Sequence, residues 1–225
     1  MERFSRLTGL VGDITNLTES KVIVFGVGGV GGHVCESLVR SGVGEITFCD
    51  GDVVAESNLN RQIVALYSTL GKNKAAVMKE RAEDINPDGK FFAEERFLTP
   101  ENIESFRLEE YDYIADCIDN VTAKLALAEY AEKKGIKIIS CMACGNKLNP
   151  SGFKVADIKD TKVCPLCKVV RSQLRKRGVN SLTVVYSEEE PVVKTRTPSS
   201  ISFMPASAGL LISSVVIKDL LGIKR

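Results

Sequence analysis

At 225 residues and 24.5 kDa, the chain has the size of one α/β domain rather than two independent cores. Hydrophobic residues make up 44%, and a domain of this size removes roughly 70% of its unfolded surface from water, which excludes a disordered chain and a disulfide-dependent miniprotein. Thirty Lys and Arg against 29 Asp and Glu leave a net charge of +1, so a polyanion must be met by a local patch, not by a bulk field.

The N-terminal Met1-Glu2-Arg3-Phe4-Ser5-Arg6 is charged, and no apolar core with a small-residue cleavage site follows before Gly26, the pattern of a cytosolic chain. Lys21–Phe25 reads as a buried strand, Gly26 to Gly31 as a loop, and residues 30–40 as a helix ending at Ser41-Gly42. Strands follow at Glu45–Cys49, more weakly at 91–97, then at 113–118 and 136–140. Between them, Lys74, Met78, Ala82 and Ile85 share one helical face that puts Lys74 on the buried side, and Asn86-Pro87 closes that helix. The βαβαβ order predicts a Rossmann-like, doubly wound α/β fold with a mainly parallel sheet. After Pro150, a strand at Phe153–Asp157, a basic helix at 167–177 and a strand at 182–186 predict antiparallel additions in the C-terminal third. The Thr/Ser/Pro-rich stretch 191–202 predicts a surface-crossing loop. The apolar run 203–217 predicts a buried helix, too short for a bilayer of roughly 30 Å. One domain is expected over 1–225: an arm (1–20), a nucleotide-binding core (21–150) and a C-terminal substrate and dimer part (151–225).

Gly26, Gly28, Gly29 and Gly31 follow a strand and open a helix, where bare N–H groups and the positive helix end meet phosphate. Asp50 closes the second strand, where a carboxylate can accept from both ribose hydroxyls. By themselves these residues favour a nicotinamide or flavin cofactor. The next segment shifts the balance. Asp52, Asn58, Arg61, Gln62, Lys72 and Lys74 bring more cations to one sheet edge than a dinucleotide needs. Lysines in a first helical turn oppose the macrodipole by roughly 0.3–1 kcal/mol, which a nearby anion would offset. Lys72 reads as solvated, and Arg61 fits a structural salt bridge as well as a phosphate contact. Asp119, followed by Asn120, supplies a hard oxygen for magnesium and equally an N-cap for the helix near Val121.

In their order and spacing, Gly26-x-Gly-Gly-x-Gly31, Asp50, Asn58, Arg61-Gln62, Lys74 and Asp119-Asn120 resemble the ThiF/MoeB/HesA adenylating superfamily of ubiquitin-activating enzymes. The resemblance implies Asp50 on the ATP ribose, Asn58, Arg61 and Lys74 on the triphosphate, and magnesium on Asp119. Asp52, Gln62 and Asn120 would complete the nucleotide site. Arg6, in Arg3-Phe-Ser-Arg6, matches an arginine that reaches the phosphates from a second subunit, which implies a homodimer. Asn60-Arg61-Gln62-Ile63-x-Ala65-Leu66, Asn86-Pro87, Gly145-Asn-Lys-Leu-Asn-Pro150, Pro165-Leu166 and Val185-Tyr-Ser-x-Glu-x-Pro191 are similar to the branch that dehydrates threonylcarbamoyladenosine in tRNA with ATP. A rival branch, which adenylates ubiquitin-like sulfur carriers, shares every ATP residue, and a sulfur-transfer partner fits either. For an NAD-binding oxidoreductase only the glycine loop and Asp50 speak, and the intact cation set disfavours a degenerate binding module.

A tRNA substrate needs a phosphate-contacting surface. Residues 168–177 hold five cations and no acid, with Lys168, Arg171 and Arg175 on one helical face, a candidate patch or a merely solvated one. Seven cysteines in a reducing compartment speak for free thiols, metal ligands or redox chemistry. Cys141-Met-Ala-Cys144 and Cys164-Pro-Leu-Cys167, 19 residues apart, have the spacing of a four-thiolate zinc site. Zinc-containing relatives keep one pair near the C-terminus, where this sequence has none, so small buried thiols are favoured over zinc. Cys35, Cys49 and Cys117 read as packing residues, and the lone His33 as packed or solvated.

Overall fold

Val22, Ile23 and Val24 of β1 (Lys21–Phe25) are wholly shielded from solvent, the environment of a central parallel strand with both faces covered. The computed structural model, which describes residues 2–193, 195 and 197–224, places β1 in a seven-stranded sheet of order β3-β2-β1-β4-β5-β7-β6. Its partners are β2 (Glu45–Cys49), β3 (Lys90–Glu94), β4 (Tyr113–Asp116), β5 (Ile138–Cys141), β6 (Phe153–Asp157) and β7 (Thr183–Ser187). Every pairing is parallel except β6 with β7, so the antiparallel addition consists of one outer strand. The strand order reverses between β1 and β4. Open α/β sheets bind ligands beyond the carboxyl ends of the strands at such a point.

Seven α-helices are described: α1 (Ser5–Val11), α2 (Thr15–Thr18), α3 (Gly31–Arg40), α4 (Lys74–Ile85), α5 (Val121–Lys134), α6 (Pro165–Lys176) and α7 (Phe203–Leu220). Residues of α3, α4 and α7 build one core with the sheet, α5 with the turns around Ile103 and Phe106 a second, and α5 with α6 a third. Helix α7 runs 18 residues, longer than the sequence run suggested, and among the described residues it alone has the length and apolarity to cross a membrane. It is nevertheless a core element here: Met204, Ala208, Ile212 and Val216 are wholly buried, and Tyr113 donates to Asp219 at 2.9 Å. Gly209 lets α7 approach α3, since a Cβ there would lie 2.5 Å from the Val30 carbonyl oxygen.

Several boundaries differ from the sequence reading by a few residues, three of them for a local reason. β3 ends at Glu94 because Phe97 leaves the sheet to cover Gly51, where a Cβ would stand 2.6 Å from its ring. β4 stops at Asp116, whose carboxylate turns inward. α6 starts at Pro165, whose fixed φ suits a first helical turn.

Candidate active site

The loop after β1 is built for close backbone approach. Gly26 has φ +86°, and a Cβ on Gly31 would fall 1.7 Å from the Gly26 carbonyl oxygen. The N–H groups of Gly28, Gly29 and Val30 have no acceptor among the described residues and stand at the N-terminus of α3, a cradle for an anion. Asp50 holds this loop from below: its Oδ2 accepts from Val27 N at 2.7 Å and its Oδ1 from Asp52 N at 2.8 Å. Burial raises its pKa, against the lowering effect of those N–H groups and of Lys74. Sequence reasoning saw a ribose acceptor and missed this second task.

The cations arrive on a short ladder. Val53 bridges Asn73, Lys74 N donates to Asp52 O at 3.0 Å, and Val54 N to Lys72 O at 2.8 Å. Asn73, which the sequence reading passed over, caps α4 through its side-chain oxygen and donates to Asp50 O at 3.0 Å. An Asn directly before an apolar-periodic run was the available signal. Lys74 is buried as expected, its Nζ 3.0 Å from Asp52 Oδ2; its side chain is 7% exposed and that of Asp52 58%. Lys72 is exposed, within 3.8 Å of Glu80. Arg61 lays its stem on the loop, Cγ 3.6 Å from where a Gly29 Cβ would stand, and its guanidinium donates to Ser57 O at 2.8 Å and Asn60 Oδ1 at 2.9 Å. No acid pairs with it among the described residues. Asn58 accepts from Ala55 N through Oδ1, which leaves its NH2 group for a ligand. Gln62 lies beside Gly28, and its buried Oε1 has no donor among the described residues, an orphan that a nucleotide hydroxyl or amino group could satisfy.

Beyond β4 the N-cap of α5 is Asn120, whose Oδ1 accepts from Ala123 N at 3.0 Å. This corrects one reading, since the cap does not fall on Asp119; the Asn120 oxygen is engaged with the backbone, which leaves its NH2 group to meet a ligand. Asp119 is exposed without a partner among the described residues, a hard oxygen at the reversal point that fits a magnesium ion. The turn carrying it is fixed by a cluster the sequence reading missed. Lys124 Nζ lies 2.7 Å from Asp116 Oδ2 and 2.9 Å from Ser140 Oγ, while Asp116 Oδ1 accepts from Ile118 N at 3.1 Å. Both charged side chains of that pair are fully buried.

Arg6 is exposed on α1. Its neighbours anchor the arm at the opposite, amino edge of the sheet: Phe4 packs on Gly42 and Arg3 pairs with Asp88. Arg6 does not join the glycine loop of its own chain. A cleft of about 650 Å³ also opens at that amino edge, but Glu19, Glu109, Asp112 and Asp219 line it against Lys134 and Lys137, an environment ill suited to phosphate.

On α6, Lys168 and Arg175 are exposed, whereas Arg171 folds inward and donates from Nη1 to Thr161 O at 3.0 Å and Thr161 Oγ1 at 2.7 Å. Arg171 therefore braces a turn and leaves the patch. The four-thiolate zinc arrangement is not formed: Cys141 and Cys144 pack with the main core, Cys164 and Cys167 in the core under α6. Among the described residues no three His, Cys, Asp or Glu converge on a metal position. The Cys167 thiol, with backbone N–H groups of Cys167, Ala143 and Leu166, brings Cys164 down to about 6. His33 is half-buried in α3, and burial lowers its pKa.

The chain as a whole is similar to several named proteins. The chain is 39% identical over 242 aligned residues to the Bacillus subtilis protein named tRNA threonylcarbamoyladenosine dehydratase, spanning 98% of this chain and 95% of that one. The crystal structure of Escherichia coli tRNA N6-threonylcarbamoyladenosine dehydratase in complex with ATP matches with a TM-score of 0.92 at 30% identity, covering 98% of this chain and 94% of that chain. An adenylyltransferase and sulfurtransferase, uba4 of Emericella nidulans, is 33% identical over 60% of this chain and 28% of its own. The ThiF family model matches residues 5–225, and the chain belongs to that family.

Proposed function

We propose that this chain is an ATP-dependent tRNA threonylcarbamoyladenosine dehydratase. The observation that carries the reading is the end-to-end match with the Bacillus subtilis dehydratase, against the partial match with the sulfur-carrier activator. A carboxylate does not expel oxide at neutral pH, so ring closure needs a better leaving group. Attack of the threonylcarbamoyl carboxylate on the α-phosphorus of ATP forms a C–O–P linkage and breaks the α–β phosphoanhydride bond, giving an acyl adenylate and pyrophosphate. In this reading the glycine-loop N–H groups, Lys74 and Arg61 would meet the charge that grows on the departing pyrophosphate; the bare loop N–H groups and the Arg61 stem lying on the loop support it. A nitrogen or oxygen of the same side chain then closes on the activated carbonyl and expels AMP, which carries away one carboxylate oxygen. That step is fast because the nucleophile is tethered.

Several finer parts extend this reading. Asp119 would hold magnesium, which when bound offsets charge on the phosphates. Arg6 would reach the phosphates of a second copy, consistent with an arm anchored away from its own glycine loop, so the working form would be a homodimer. Lys168 and Arg175 would contact tRNA phosphates. The reaction would run in the cytosol, with a sulfur-transfer protein as a further partner. The test is mass spectrometry of nucleosides from modified tRNA incubated with the protein, with and without ATP. The modified adenosine is expected to lose one water only with ATP; an unchanged nucleoside, with a sulfur-carrier terminus adenylated instead, would overturn the reading.

A further inference from the structure

The residues between β5 and Pro150 do more than follow the sheet. Asn146, at φ +60°, grips the strap that crosses from β7 to α7: its N–H donates to Ser199 O at 2.8 Å, its Oδ1 accepts from Ser199 N at 2.7 Å, and its carbonyl accepts from Val192 N at 2.8 Å. Gly145 lies directly under Pro198, where a Cβ would stand 2.7 Å from the proline Cβ. The next residue of the strap is tied by Asn60, which donates to Ser200 O at 3.1 Å and accepts from the neighbouring Arg61 guanidinium. Asn146 and Asn60 therefore pin the consecutive residues Ser199 and Ser200 at the carboxyl edge, and Asn146 holds Val192 as well.

At the base of the first anchor stand Cys141 and Cys144, with Sγ atoms 3.6 Å apart. Cys141 ends β5 and is buried, while Cys144 is half-buried and so within reach of a small oxidant. A disulfide needs about 2.05 Å between the sulfurs, so closure draws them together by roughly 1.5 Å, in a residue adjacent to Gly145. The geometry points to a redox modification site: Cys141 and Cys144 form a reversible disulfide whose closure displaces the strap anchor at Gly145 and Asn146. A low-molecular-weight disulfide supplies the oxidant. The Cys144 thiolate attacks it, one small thiol leaves, and Cys141 then attacks Cys144 Sγ to release the second; two S–H bonds are lost, one S–S bond forms, and the oxidant is reduced to two thiols.

The test uses the full chain in oxidised and reduced glutathione buffers, with thiol counting, peptide mass mapping, ATP binding and tRNA turnover. Oxidised protein is expected to lose two of its seven thiols, with the peptide holding Cys141 and Cys144 lighter by two hydrogens. It is expected to bind ATP as before and to turn over tRNA roughly 10- to 100-fold more slowly, the scale of a misplacement of about 1 Å near reacting groups. Dithiothreitol restores both readouts, and Cys144→Ser is immune. Retention of all seven thiols, oxidation at Cys164 and Cys167 instead, or a closed Cys141–Cys144 bond with unchanged turnover overturns the inference. Only the turnover arm rests on the proposed function; absence of activity in both redox states would count against that function, while the thiol map still decides whether the bond forms.

Discussion

Replacing Lys74 with Met removes one charge from the candidate site and little else. The thioether chain fills nearly the same volume, and the abandoned partner, Asp52, is 58% exposed and can be hydrated. Such a half-solvated pair contributes about 0.2–1 kcal/mol to stability, so the variant should fold with a loss of no more than about 1 kcal/mol. The effect on the reaction is larger. Lys74 is shielded, and a charge pair at about 4 Å with an effective dielectric constant of about 20 is worth about 4 kcal/mol. That agrees with the 2.7–4 kcal/mol, about 100- to 1000-fold in kcat, lost when one preorganised donor to a developing anion is removed. Single-turnover formation of AMP and cyclised nucleoside at saturating ATP, beside a denaturant titration of the same protein, separates the two effects. A kcat within roughly threefold of the parent, less than about 1 kcal/mol, would refute the role given to Lys74.

Lys168→Glu with Arg175→Glu should weaken tRNA binding and flatten its salt dependence by about 0.7–0.9 per lost phosphate contact, with ATP affinity intact; an unchanged slope removes the patch. Arg171→Ala should instead cost about 1–3 kcal/mol of stability in chemical denaturation, because the Thr161 carbonyl loses its donor. Lys124→Met should destabilise by about 3–5 kcal/mol by leaving Asp116 buried and unpaired, and a loss below about 1 kcal/mol would contradict the structural reading of that pair. For Asp50 the folded pKa lies above its unfolded value, so the ionised group costs stability at neutral pH, and that cost is relieved as pH falls through the folded pKa. The ligand-accepting form is the carboxylate. ATP affinity should therefore decline on acidification starting above the ordinary carboxylate range, and Asp50→Asn should bind weakly with no such step in a calorimetric pH series.

The sheet was legible because β1, β2 and β4 are short apolar runs that can be buried on both faces only in a parallel sheet, and the glycine loop because its spacing admits one backbone path. Lys74 could be placed on the buried side by helical periodicity alone. What escaped depended on contacts across the chain. Lys124 lies in an apolar helix without a local hint that Asp116 and Ser140 await it. Arg171 shares a face with Lys168 and Arg175 by periodicity, yet the turn at Thr161 captures its guanidinium, and no spacing rule encodes that capture. The step from Asp119 to Asn120 at the N-cap is a shift of one residue that propensity does not resolve, since both side chains cap well. The two cysteine pairs have metal-ligand spacing, but β5 and α6 seat them in separate cores.

The adenylation step itself can be followed by one atom. With threonylcarbamoyl carboxylate enriched in a heavy oxygen isotope, a single turnover with ATP should deliver the label into the phosphate of AMP. Label in inorganic phosphate with ADP formed, or label left in the nucleoside while water is lost without ATP cleavage, would contradict the account.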